Sequence, residues 1–225
     1  MKRIDWRVFA TATLAFLCLL LFGNYVGIPL VSALSKTAAS TFFIATAIAC
    51  GAWRSTFGKA MLAGLVLSWF GDVFLLGRSD ALFLAGLSSF LLGHVAYCVA
   101  FAIHGLNPRW SIVTAVALAP IVVVVLRWLL PHVEGAMTGP VIAYIAVITT
   151  MVLLAWGTRG NGGHITIVIG ALMFFFSDIA VARNRFVEPG SMDWLWGLPL
   201  YYAGQLFLAY AAGTKTNSDQ MTQEN

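Results

Sequence analysis

From residue 6 to residue 212 the chain alternates long apolar stretches with short polar breaks, and the stretches are all of one size. Each holds roughly 17 to 25 predominantly apolar residues, the length that a helix rising about 1.5 Å per residue needs to cross a hydrocarbon layer. Eight stretches are legible, at approximately 6–25, 30–52, 57–77, 81–103, 110–130, 138–157, 164–183 and 192–212. The pattern predicts an all-α, polytopic membrane bundle of eight transmembrane helices. Inside the stretches, small and polar residues recur at helical spacing. Gly64, Ser68 and Asp72 follow at i, i+4 and i+8; Gly86, Phe90, His94, Tyr97 and Phe101 make a second stripe. Gly170, Phe174 and Ser177 with Asp178 make a third, and Tyr201, Tyr202 and Gln205 share one turn. Polar groups on one face of an apolar helix belong in a bundle interior, where small residues let neighbouring backbones approach.

Composition sharpens this picture. The chain of 225 residues is 60% hydrophobic and 10% charged, against about 25% charged in soluble domains. Its connections leave no room for a soluble domain, so residues 1–213 read as one transmembrane domain and residues 214–225 as a disordered polar tail. Lys2, Arg3 and Arg7 ahead of an apolar run also describe a secretory signal, but no small-x-small cleavage site precedes Gly27-Ile28-Pro29, and the first stretch is read as a retained span. With eight spans both termini share a side. Lys2, Arg3, Arg7, Arg54, Lys59, Arg109, Arg159 and Lys215 fall on that side and Arg78, Arg127, Arg183 and Arg185 on the other, which predicts cytoplasmic N- and C-termini. Arg183 and Arg185 run against the rule and call for a local anion: Asp193, Glu188 or a lipid phosphate. Short loops and a basic N-terminus fit a bacterial inner membrane. Membrane lipids are the expected surroundings and no nucleic acid is an expected partner; the sequence carries no signal of oligomeric state.

Two positions stand out from the apolar background. Asp72 lies in LVLSWFGDVFLL and Asp178 in GALMFFFSDIAVA, and a carboxylate at membrane depth costs several kcal/mol unless a partner, a proton or water relieves it. Asp72 sits about 8 Å inside the end of its stretch at Gly77, and Asp178 a similar distance before Arg183, so the two share a depth in the non-cytoplasmic half. Fixing helix register would need only one such group. Lys36 enters its stretch near the same level, either as a snorkelling side chain or as a partner for the acids. His94 is either a packed histidine or a chemical group. Tyr97, Tyr201 and Tyr202 fit a core or interfacial belt as well as a site. His104, His132 and His164 fall in loops or at helix ends, so His94 alone lies deep; hydrolytic zinc commonly takes three protein ligands, and neither a metal nor another cofactor is expected. Cys18, Cys50 and Cys98 form no Cys-x-x-Cys pair and read as packed thiols. No phosphate loop, nucleophile elbow or His-Glu-x-x-His helix is present.

The string Ser68-Trp69-Phe70-Gly71-Asp72, followed by Phe83, Gly86, Phe90, His94, Tyr97 and Phe101, resembles the first signature of the YhhN family, the membrane proteins that include the lysoplasmalogenases. Tyr144, Met151, Gly170, Phe174, Ser177-Asp178, Phe186, Tyr201, Tyr202 and Gln205 resemble its remaining positions. The resemblance spans residues 36 to 206. One departure is visible: the family commonly has Lys-Pro in the second span, where this chain has Lys36-Thr37.

The resemblance implies an eight-helix hydrolase that cleaves the vinyl ether bond of lysoplasmalogen or a related lysophospholipid to a fatty aldehyde and glycerophosphoethanolamine or glycerophosphocholine. That bond breaks by protonation of its β-carbon to an oxocarbenium ion, followed by water. A protonated carboxylic acid and an ionised carboxylate divide the work, as in glycoside hydrolysis. Asp72 and Asp178 are the expected catalytic pair, in either order. Lys36, Ser68, His94, Tyr97, Ser177, Tyr201, Tyr202 and Gln205 are the expected substrate contacts. Two other readings use the same acids or the same pocket. A proton- or cation-coupled transporter would put the carboxylates in a relay, and the echo between GLVLSWFGD and GALMFFFSD is the kind of repeat carriers contain. A lipid-binding protein would need the pocket but not two acids.

Overall fold

The computed structural model describes residues 5–214. Lys2, Arg3 and Lys215 of the charge count, and the polar tail from residue 215 onward, lie outside the described residues. Among the described residues eight α-helices run in chain order: α1 Trp6–Val26, α2 Pro29–Cys50, α3 Thr56–Phe74, α4 Asp80–His104, α5 Pro108–Leu129, α6 Thr138–Arg159, α7 Ile165–Ala182 and α8 Trp194–Ala211. Most begin on a side chain that accepts an otherwise unpaired N–H. Asp5 takes the N–H of Arg7, Ser55 that of Gly58, Ser79 that of Leu82 and Asn107 that of Arg109. Proline opens α2 and α5, where its missing N–H costs nothing. Gly27 and Gly51 end α1 and α2 in the left-handed conformation, φ 75° and 95°.

The apolar stretches match these helices to within a few residues. By length and apolarity α1 to α7 are fit to cross a membrane. The last helix is not among them, a difference from the expected eight. It spends Tyr201, Tyr202 and Gln205, all buried, on the interior and carries Pro199 within its length, which lowers its apolarity without putting polar groups into lipid.

Helix packing follows a closed order. α2, α3, α4, α6, α7 and α8 each pack against the next, and α8 returns to α2; α1 lies outside against α2 and α8, and α5 outside against α6. On α5 only Leu118 and Leu129 are buried. The second four helices thus repeat the arrangement of the first four, with α3 and α7 in equivalent places. Glycines permit two close crossings. A Cβ on Gly170 of α7 would lie 2.9 Å from the Gly204 carbonyl oxygen of α8, and one on Gly93 of α4 would lie 3.2 Å from that of Gly64 on α3. These small residues bring α3 against α4 and α7 against α8 closely enough for polar side chains to meet across the bundle.

Beyond Ala182 the α7 backbone continues as a π-helical turn, Arg183–Val187. The connection to α8 is pinned there. Arg183 donates to Asp193 at 2.6 Å and to Glu188, and Ser191 also donates to Asp193. Asp193 is 2% exposed. Burial pushes its carboxyl upward, but the bonds from Ser191, Arg183 and Trp196, with the Arg183 charge, outweigh it and hold the group below the usual carboxylate range. Both arginines that run against the charge rule therefore have protein partners: Arg183 holds Asp193 and Glu188, and Arg185 pairs with Asp80.

Candidate active site

Asp72 lies two residues before the end of α3 and is 3% exposed. Three groups from two other helices surround its carboxylate. Lys36 Nζ of α2 stands 3.3 Å from Oδ1. Ser40 Oγ, one helical turn beyond Lys36, donates to Oδ2 at 2.5 Å, and Tyr201 OH of α8 donates to the same oxygen at 2.7 Å. Lys36 therefore reaches an acid rather than the membrane surface. A cation and two hydroxyl donors are the partners an ionised carboxylate needs away from water.

Asp178 of α7 has a different environment. Its Oδ2 accepts from Tyr144 OH of α6 at 2.7 Å, and His94 Nε2 of α4 stands 4.0 Å away, outside hydrogen-bond range. Among the described residues no lysine or arginine pairs with it. His94 is fully buried, edge-on to Phe174 with ring centroids 4.5 Å apart and to Tyr144 at 5.2 Å, and neither ring nitrogen has a hydrogen-bond partner among the described residues. The two acids hold equivalent places in the fold: each meets a side chain from the second helix of its own half and one from the fourth helix of the other half. The partners are a lysine, a serine and a tyrosine for Asp72, and a tyrosine and a distant histidine for Asp178.

Both acids line one cavity of about 430 Å³, together with Lys36, Tyr144, Ser177 and Tyr201. Its other walls are mostly apolar side chains, drawn from α4 to α8. The remaining candidates from the sequence stand behind that wall. Ser68 Oγ donates to the Gly64 carbonyl, and Ser177 Oγ, though its residue lines the cavity, donates to that of Phe174. Tyr97 OH donates to Gln205 Oε1 at 2.8 Å, and Tyr202 OH donates to the Lys36 carbonyl at 3.1 Å and lies 3.3 Å from Ser40 Oγ. Ser68, His94, Tyr97, Tyr202 and Gln205 do not line the cavity. Among the described residues no three His, Cys, Asp or Glu side chains gather as they would around a metal ion.

Sequence reasoning missed Ser40 and gave Tyr144 no part in the site. Ser40 follows Lys36 at i+4, so a lysine directed at an acid carries the serine with it; that spacing was the available signal. Tyr144 had no comparable cue, because its meeting with Asp178 depends on how α6 packs on α7.

An integral membrane protein whose helices enclose a cavity shared by two carboxylates is the class this fold and site define. The chain belongs to the YhhN family: a model of that family matches residues 31–212. Among curated proteins, the chain is 32% identical to human lysoplasmalogenase TMEM86A over 158 residues, a match covering 68% of this chain and 64% of the relative. It is 28% identical to TMEM86A of Bos taurus over 158 residues, with the same coverage of each chain. Against human lysoplasmalogenase TMEM86B it is 30% identical over 154 residues, covering 68% of this chain and 63% of the relative. The chain thus spans less than two-thirds of the length of these relatives. No solved structure matches it.

Proposed function

We propose that this protein hydrolyses the vinyl ether bond of a lysoplasmalogen or closely related lysophospholipid, with Asp178 as the proton donor and Asp72 as the ionised carboxylate. The names of the relatives supply the reaction class. The observation that carries the proposal is that two acids with unequal partners open onto one cavity: the acid beside Lys36 is suited to stay charged, and the acid without a cation is suited to hold a proton.

The steps balance around these two groups. Asp178 gives its proton to the β-carbon of the vinyl ether, leaving an oxocarbenium ion that the Asp72 carboxylate faces and stabilises. Water adds to the cationic carbon and passes a proton to Asp72. The hemiacetal then collapses: Asp72 returns that proton to the departing glycerol oxygen, and Asp178 takes the hydroxyl proton. A fatty aldehyde and the glycerophospho-alcohol leave, and both acids are back in their starting states. Lys36, Ser40 and Tyr201 hold Asp72, Tyr144 holds Asp178, and Ser177 and Tyr201 meet the substrate from the wall. Ser68, His94, Tyr97, Tyr202 and Gln205 act as positioning residues.

In this reading α8 crosses with the other seven helices, both termini are cytoplasmic, and the protein lies in a bacterial inner membrane. The repeated four-helix order favours one rival, a proton-coupled carrier built from parallel halves. Purified protein in detergent separates the two. Aldehyde release from 1-alkenyl-glycerophosphoethanolamine, with none from the saturated 1-alkyl ether and no sensitivity to chelator, is expected. An intact vinyl ether together with proton-driven uptake in proteoliposomes would replace the hydrolase with the carrier.

A further inference from the structure

The cavity has a polar end that the hydrolytic steps leave unused. Its rim comes from the α3–α4 connection, with Arg78 and Ser79, from the π-helical turn after α7, with Asn184 and Arg185, and from Asp193, whose carboxylate is taken up by Arg183, Ser191 and Trp196. Four arginines lie at this end of the bundle; Arg127 of α5 is exposed and off the cavity wall, and the situations of the other three differ. Arg183 is held by Asp193 and Glu188 and is off the cavity wall. Arg78 is exposed and has no ion pair among the described residues. Arg185 pairs with Asp80, which is 87% exposed, and its guanidinium carbon lies 4.5 Å from the centroid of the Phe83 ring. A pair with so exposed a carboxylate is weak and readily exchanged, whereas packing on an aromatic face keeps the guanidinium in place. Deeper in, the wall is hydrocarbon: Val122 and Val125 of α5, Ile145 and Ile148 of α6, Phe175 and Ile179 of α7. A ligand that fits both ends is anionic at the rim and carries an aliphatic chain.

We propose that Arg78 and Arg185 form a phosphate-binding rim that holds the phosphodiester of a single-chain lipid, with the Ser79 hydroxyl as a neutral donor. The planar guanidinium fork suits a phosphate that offers paired oxygens. Held there, the lipid places the first bonds of its chain beside Asp72 and Asp178 and its tail along α5 to α7. The rim would thus set the preference for phospholipid over neutral glycerolipid. This inference rests on the hydrolase reading for the identity of the lipid, but its test does not require turnover.

Binding of two saturated, uncleavable ethers of equal chain length, 1-alkyl-glycerophosphoethanolamine and 1-alkylglycerol, is measured on the full chain in a phosphate-free detergent. The wild-type protein is expected to prefer the phosphate-bearing ether, and Arg78→Gln/Arg185→Gln to lose about tenfold of that preference. Arg78→Gln alone, at an exposed residue without an ion pair, gives a smaller loss and keeps the test readable if the double variant does not fold. An equal preference in wild type and variants, or none in the wild type, overturns the rim. Inorganic phosphate displacing the phosphate-bearing ether as well as glycerophosphoethanolamine does would overturn the assignment to a lipid headgroup. Failure of the hydrolase reading would show instead as preferred binding of the phosphate-bearing ether without aldehyde from the vinyl ether.

Discussion

Asp178→Asn should abolish aldehyde release while leaving the protein folded, with kcat lower by about 10³-fold or more, within the range for loss of a positioned general acid. No other group is placed to replace it. Tyr144 OH is already donated to Asp178, and His94 Nε2 lies 4.0 Å from the carboxylate with the ring fully buried between Phe174 and Tyr144. Asparagine keeps the shape and an oxygen that accepts from Tyr144, so thermal unfolding in detergent should move little. KM should also stay close to the wild-type value, since headgroup and chain are held elsewhere. A variant that keeps more than a tenth of the wild-type rate would remove Asp178 from the proton transfer.

Asp72→Asn should damage both activity and stability, and the combination is diagnostic. The rate should fall by a comparable factor because the oxocarbenium ion loses its carboxylate and water loses its base. Unlike Asp178→Asn, this change also strands a cation: Lys36 is only 15% exposed and its charge partner at 3.3 Å is removed. Breaking one side of a buried pair costs about 3 to 5 kcal/mol. Replacing both members by neutral side chains avoids that penalty, so Lys36→Met/Asp72→Asn should recover most of the lost thermal stability and none of the activity. Recovery of activity in the double variant would mean that Asp72 serves only to neutralise Lys36.

The helices were legible in the sequence because membrane spans announce themselves by length and apolarity. The count was less secure at α8, where Tyr201, Tyr202 and Gln205 make the helix less apolar because they face inward. The acids were legible because charge is conspicuous in an apolar run, and the depth argument placed Lys36 at their level. Which acid has which partner was not legible. Ser40 meets Asp72 across 32 positions, Tyr144 meets Asp178 across 34, and Tyr201 meets Asp72 across 129. The Tyr201 meeting depends on the close crossing of α7 on α8 and on the return of α8 to α2, and the other two on how α2 packs on α3 and α6 on α7, which no local pattern encodes. The π-helical turn that presents Asn184 and Arg185 was equally hidden, since the sequence RNRFV carries no breaker.

The central claim is that an acid in this cavity protonates a carbon of the vinyl ether, and hydrolysis in D₂O tests it most directly. The aldehyde, reduced as it forms to stop later exchange, should carry one deuterium on the carbon next to the former carbonyl, and the rate should fall relative to H₂O because that proton transfer is the slow step. An unchanged rate in D₂O would mean that the bond is cleaved before the carbon is protonated, the deuterium entering as an enol product tautomerises, and Asp178 would then not be the proton donor nor Asp72 the carboxylate that faces the cation.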